Sequence, residues 1–210
     1  TKRKEIQEFI ILGNSMGGNV AWSYALDYPE QVKGLILIGS GGIIEDLHHK
    51  DLERKAERTL DDSPIAWKIM SSDLTKFVLR YLTPKFFAEQ GLRTALKDEK
   101  LVTDTLINQF HDLVLLEGSR QAILSMNRRD VKKRFVKPDV LKDIITRTLI
   151  IHGEEDNLIN VANSKYYQEN IPELKVKIYT NIGHMPMYED PIRTAKDVKE
   201  FIKTLPGIGL

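Results

Sequence analysis

Cysteine is absent from this 210-residue chain, which rules out disulfides and thiolate metal sites and removes any tie to an oxidising compartment. Long apolar runs are lacking too: no stretch approaches the ~20 residues that a membrane-spanning helix needs. Neither sign of charge is in surplus, because 31 Lys and Arg stand against 30 Asp and Glu, for a formal net charge of +1. That balance gives no reason to expect nucleic acid or an anionic membrane as a partner. The first residues, Thr1-Lys2-Arg3-Lys4-Glu5, lack the apolar stretch of a secretion signal. A cytoplasmic location is the resulting expectation.

What the chain does contain is an alternation of strand-like and helix-like segments. Three short runs are apolar at every position: Phe9-Ile10-Ile11-Leu12, Leu35-Ile36-Leu37-Ile38 and Leu149-Ile150-Ile151. Each is followed at once, or one residue later, by glycine. Strands of a parallel sheet read this way because helices cover both faces. A fourth run, Val176-Lys177-Ile178-Tyr179, alternates and is expected nearer an edge. Helical spacing fills residues 19–28, 161–169 and 191–205. Strand and helix in turn predict an α/β fold, a mostly parallel sheet with flanking helices.

Residues 43–143 break the pattern with amphipathic helices and no strand-like run. Met70, Leu74, Phe77, Val78 and Tyr81 share one helical face, as do Val102, Leu106, Phe110, Leu113 and Val114. Thr83-Pro84 reads as a helix start and Gly91 as its stop. The predicted organisation is therefore a core at 1–42, a helical cap or lid at 43–143, and core again at 144–210. Trp67, Met70, Phe77, Tyr81, Phe86 and Phe87 could line an apolar pocket in the cap, although such stripes first of all face a core. The basic run at 128–134 reads as a solvated surface. The first strand is apolar throughout, so both its faces and both its edges should be covered. An exposed apolar edge is an aggregation hazard, and further strands upstream are expected.

The first strand leads directly into Gly13-Asn14-Ser15-Met16-Gly17-Gly18 and then a helix. This fits the Gly-x-Ser-x-Gly elbow, which exposes a serine hydroxyl on a tight turn between strand and helix. The glycines let the two backbones approach. The Met16 backbone N–H, at the helix N-terminus, can then stabilise an oxyanion. The pattern alone arises by chance in roughly one chain of this length in fifteen. Its position between an apolar strand and a helix gives it meaning.

A serine needs a base, and the base an orienting acid. Both should lie at the carboxyl ends of later strands. The third strand ends in His152-Gly153-Glu154-Glu155-Asp156-Asn157, and the fourth is followed by Asn181-Ile182-Gly183-His184-Met185-Pro186. Ser15, Asp156 and His184 then stand in the chain order expected for a catalytic triad on this fold. Glu154, Glu155, Asp130 and Asp143 are alternative acids. Asn14, Met185 and Leu158, beside the three, are candidates for substrate contact. His111 falls within a cap helix, and His152 reads as a structural hydrogen-bonding residue at a strand end. His48-His49 with Glu45 and Asp46 makes a poor metal cluster, because adjacent histidines on a helix diverge.

These residues resemble the α/β-hydrolase superfamily. The elbow, the Gly153-Glu154-Glu155-Asp156 acid turn and the Gly183-His184-Met185-Pro186-Met187 loop are similar to those of capped esterase- and lipase-like members. Ile38-Gly39-Ser40-Gly41-Gly42 is also similar, and the Gly-Asn-Ser-Met-Gly-Gly elbow resembles that of carbon–carbon hydrolases acting on ring-cleavage products. The resemblance implies strands five to eight of that fold, with the earlier strands and the second oxyanion donor not represented. It also implies ester hydrolysis through an acyl-enzyme on a small or medium apolar substrate, with no cofactor and no metal. Two alternatives are a carbon–carbon hydrolase of ring-cleavage products and a non-catalytic module of truncated hydrolase fold. Oligomeric state is not legible.

Overall fold

The computed structural model describes residues 6–41, 83–126 and 138–207. The readings for Trp67, Met70, Leu74, Phe77, Val78, Tyr81, Glu45, Asp46, His48, His49, Asp130 and the basic run at 128–134 fall outside them. The chain divides into two compact units. One comprises residues 1–43, 94–101 and 136–210, the other 44–93 and 102–135. Residues 94–101, part of the long helical insertion in the sequence, belong to the first unit.

The first unit is built on four parallel strands, β1 (Phe9–Asn14), β2 (Val32–Ile38), β3 (Thr148–Gly153) and β4 (Leu174–Tyr179), in the spatial order of the sequence. Asn14 pairs with Ile38, Ile38 with Ile151, and Gly153 with Tyr179, so the carboxyl ends line up along one edge. α1 (Met16–Asp27) connects β1 to β2, and α5 (Ala162–Asn170) connects β3 to β4. α6 (Pro186–Glu189) and α7 (Pro191–Ile202) follow β4.

Apolar strands bury both faces here. Ile36, Ile38, Leu149, Ile151 and Tyr179 form one cluster with Phe201 and Leu205. Leu35, Leu37 and Ile150, at the alternating positions, are also fully buried, as the two-residue period of a strand requires. Each such side chain stabilises by about 1.5–3 kcal/mol. β4 is an edge strand among the described residues, as its alternation predicts. Among the described residues β1 pairs only with β2, and Leu12 is 50% exposed.

α7 starts with Pro191 at its first turn and with the Asp190 side chain accepting the Arg193 N–H at 3.1 Å. Its buried positions, Thr194, Asp197 and Phe201, recur at helical spacing. A polar clasp fastens it to β4. The Tyr179 hydroxyl donates to Asp197 Oδ2 at 2.7 Å, Lys177 Nζ lies 3.2 Å from Asp197 Oδ1, and the Arg193 guanidinium sits 3.8 Å from the centre of the Tyr179 ring. Burial, with the Asp197 carboxylate beside it, pushes the Tyr179 phenol up. Burial opposes the Asp197 charge, but the Tyr179 hydrogen bond and Lys177 outweigh it and hold the carboxyl low.

The second unit and its return segment contain α2 (Lys85–Ala95), α3 (Asp104–Leu115) and α4 (Ser119–Met126). Thr103 caps α3 by accepting the Leu106 N–H at 3.3 Å. The inward face of α3 runs through Leu106 and Ile107 and not as far as Leu113, which is exposed. The expected stop at Gly91 is corrected too: α2 continues through it to Ala95. Leu92, Ala95 and Leu96 are buried just beyond, and that burial outweighs the ~1 kcal/mol that glycine costs a helix.

Candidate active site

The elbow follows from two close approaches. A Cβ on Gly13 would strike the Gly17 carbonyl, and one on Gly18 would strike Ser40 Oγ, whereas Gly17 itself has open space. Gly13 and Gly18, more than Gly17, therefore permit the turn. Ser15 sits there with φ +54° and ψ −123°, a region costing about 1–3 kcal/mol for a non-glycine residue. Its backbone N–H is tied to the Ile38 carbonyl at 2.9 Å. Met16 contributes the first N–H of α1, which has no partner within the helix.

β2 ends beside the other half of the site. A Cβ on Gly39, which has φ +50°, would lie 3.1 Å from both Nδ1 and the carbonyl oxygen of His184. Asn14 pairs with Ile38 and the Ser15 N–H bonds the Ile38 carbonyl, so Ser15 and Gly39 both stand at the carboxyl edge of this strand pair. The Asn14 amide donates to the Ile38 carbonyl at 3.0 Å and to the His184 carbonyl at 3.5 Å. That side chain is thus engaged by the framework.

Asp156 and His184, 28 residues apart, meet directly. His184 Nδ1 lies 2.7 Å from Asp156 Oδ2, and the residues are 4% and 8% exposed. Asp156 Oδ1 accepts the backbone N–H groups of Leu158 and Ile159, each at 2.8 Å. His152 Nε2 approaches Oδ2 to 3.2 Å. Burial pushes the Asp156 carboxyl up, but hydrogen bonds from His152, His184 and the Ile159 backbone outweigh it. The net position is well below the usual carboxylate range. A charged Asp156 requires Nδ1 of His184 to donate, which leaves Nε2 as the basic nitrogen.

The histidine loop has a support absent from the sequence reading. Glu189 Oε1 accepts the Gly183 N–H at 2.8 Å, while Oε2 accepts those of Lys97 at 2.7 Å and Asp98 at 3.3 Å. The His184 N–H donates to the Ala95 carbonyl at 2.7 Å. Glu155, an alternative acid, pairs instead with Lys97 at 2.5 Å. Met185 is buried, and its carbonyl accepts from Tyr188 and Glu189. Leu158 is 42% exposed. His111, in the second unit, donates through Nε2 to the Thr83 carbonyl at 2.6 Å. Among the described residues no group of three or more His, Cys, Asp or Glu side chains could hold a metal, and no helix is long and apolar enough to cross a membrane. A surface hollow of about 430 Å³ along α7, lined by Ile192, Lys196 and Lys199, contains none of Ser15, Asp156 or His184.

A parallel sheet carrying a strained serine after one strand, and an Asp–His pair after two later ones, defines an α/β-hydrolase architecture. The chain belongs to the alpha/beta hydrolase fold family, which it matches over residues 2–191. It is 26% identical over 201 residues to monoacylglycerol lipase abhd6-A of Xenopus laevis, covering 94% of this chain and 55% of that protein. It is also 26% identical over 189 residues to lipase 3 of Moraxella sp. (strain TA144), covering 90% and 54%. Among solved structures, the meta-cleavage product hydrolase CumD of Pseudomonas fluorescens IP01 superposes with a TM-score of 0.72 at 23% identity, covering 94% of this chain and 65% of that one. The chain thus spans about half the length of the curated relatives it matches.

Proposed function

We propose that the chain carries the catalytic triad of a serine hydrolase that cleaves carboxylic esters of small or medium apolar molecules, with Ser15 as nucleophile, His184 as base and Asp156 as orienting acid. The observation that carries this reading is the 2.7 Å Asp156–His184 hydrogen bond beside Gly39, next to a serine at φ +54°. The lipase relatives favour an ester over other acyl compounds.

In this mechanism His184 Nε2 removes the Ser15 proton as Oγ attacks the ester carbonyl. The Met16 N–H holds the developing oxyanion. Asp156 stabilises the imidazolium, which then protonates the leaving alcohol. Water, activated by the same nitrogen, releases the acid. Each donor on Asp156 keeps it an anion, so it orients and stabilises without taking the proton. Leu158, exposed beside the acid, is proposed as a substrate contact, whereas buried Met185 offers little surface.

The test is labelling of the protein at its full natural length with a fluorophosphonate, alongside turnover of p-nitrophenyl butyrate. One adduct lost in Ser15→Ala, together with esterase activity, supports the reading. An adduct without esterase turnover, but with cleavage of a vinylogous diketone acid, would move it to carbon–carbon hydrolysis, which the elbow sequence also fits. No adduct would sink the enzyme reading.

A further inference from the structure

His152 is the next-to-last residue of β3 and 1% exposed. Its Nε2 faces two acceptors, the Ile159 carbonyl oxygen at 3.0 Å and Asp156 Oδ2 at 3.2 Å. Its Nδ1 lies 2.8 Å from the hydroxyl of Ser164, which is also buried. A carbonyl and a carboxylate oxygen cannot donate, so the proton must sit on Nε2. A neutral ring then accepts the Ser164 hydroxyl proton at Nδ1. With the N–H groups of Leu158 and Ile159, Asp156 receives four donors, and two imidazoles share its Oδ2.

We infer that His152 is a positioning residue for Asp156, pinning the carboxylate and dividing the charge of Oδ2 between itself and His184. The inference rests on Asp156 being the acid of the proposed triad. His152 touches no reacting atom and acts only through the carboxylate. Ile159 anchors the arrangement from both ends: its N–H binds Oδ1, and its carbonyl accepts from the His152 nitrogen that binds Oδ2. The acid turn is thereby closed around the histidine.

The neighbouring titratable groups are engaged elsewhere or exposed. Glu155 pairs with Lys97, Glu189 binds backbone N–H groups of residues 97, 98 and 183, and Tyr167 of α5 is bonded to Ser40 at 2.8 Å. Glu154 follows β3 with an exposed side chain. The balance of charge at Oδ2 is therefore set by the two histidines. Removing one donor concentrates the carboxylate on the other, which favours the His184 imidazolium.

The first measurement is the ¹⁵N spectrum of labelled histidines in the unaltered protein at its full natural length. A neutral His152 with its proton on Nε2 is expected, whereas a proton on Nδ1 alone would overturn the inference without any variant. The second compares His152→Phe with His152→Gln. In the phenylalanine variant the acidic limb of the kcat/KM profile should move up by about 0.5–1 pH unit, and the His184 Nδ1 proton should move downfield. Glutamine, whose amide can donate to the same oxygen, should restore both. An unmoved limb and an unmoved proton in a folded His152→Phe protein would reduce His152 to a prop for the turn. If Ser15-dependent turnover is missing even in the parent, the enzymatic reading fails, while the proton resonance still decides whether Oδ2 is shared.

Discussion

Gly153, the last residue of β3, lies against the Gly183 carbonyl of the histidine loop so closely that a Cβ on Gly153 would overlap the Ile182 and Gly183 oxygens. The acid-bearing turn and the histidine loop are thus seated on each other through bare backbone. Gly153→Ala should destabilise the fold by about 1–3 kcal/mol and push His184 away from Asp156. Urea unfolding would register the first effect, and loss of the downfield His184 proton the second. Gly17→Ala, where nothing crowds the added methyl, should leave that proton in place.

Asp156→Asn should lower turnover by about 10⁴-fold while leaving the protein folded, because an amide can present its N–H to His184 Nδ1 and so favour the wrong tautomer. Ester hydrolysis and circular dichroism on the same sample check the two halves of that statement.

The same aspartate gives a pH dependence with a defined sign. Its carboxyl is held below the usual carboxylate range in the folded protein, so it binds fewer protons folded than unfolded. Its contribution is complete above about pH 4, the ordinary value for the unfolded chain, and is lost as pH falls through the folded value. The stability gap between the parent and Asp156→Asn should therefore change between pH 7 and pH 3, with the parent losing more. Urea midpoints across that range would show it, and a gap independent of pH would contradict it.

Tyr179→Phe removes the hydroxyl that donates to Asp197. The expected cost is about 1–2 kcal/mol, seen as a lower melting temperature with unchanged turnover, because the clasp fastens α7 to β4 without touching the triad.

Glu189→Gln replaces a carboxylate that accepts three backbone N–H groups with an amide that cannot accept on both arms. Kinetics should show a fall in kcat of about 10-fold with little change in KM, because His184 is displaced and the rest of the site is not.

Much of this was legible in the sequence because the chemistry sits where periodicity ends. Ser15 and Asp156 follow apolar runs and His184 follows an alternating one, and all three runs mark strands whose carboxyl ends line up along one edge. The supports were less legible. His152 reads as a strand-end histidine, and only the path of the turn brings Asp156 and Ile159 back onto its nitrogen. Asn14 reads as a substrate contact, yet its amide is turned to the Ile38 and His184 carbonyls. Glu189 carries no reading in the sequence, and nothing local shows that residues 97 and 98 come to meet it. Gly91 failed as a stop signal because burial of Leu92 and Ala95 outweighs local propensity. Contacts across long stretches of chain decide the cases of Asn14 and Glu189.

The order β1-β2-β3-β4 places Ser15, Gly39, Asp156 and His184 after four different strands, each supplying one piece. No local fragment of the chain contains the proposed base next to the proposed nucleophile. Hydrolysis would therefore act as an all-or-none gauge of the assembled sheet. A denaturant titration followed by activity should fall together with one followed by fluorescence of Trp22, which lies buried in α1, leaving no partly folded species that still turns over substrate.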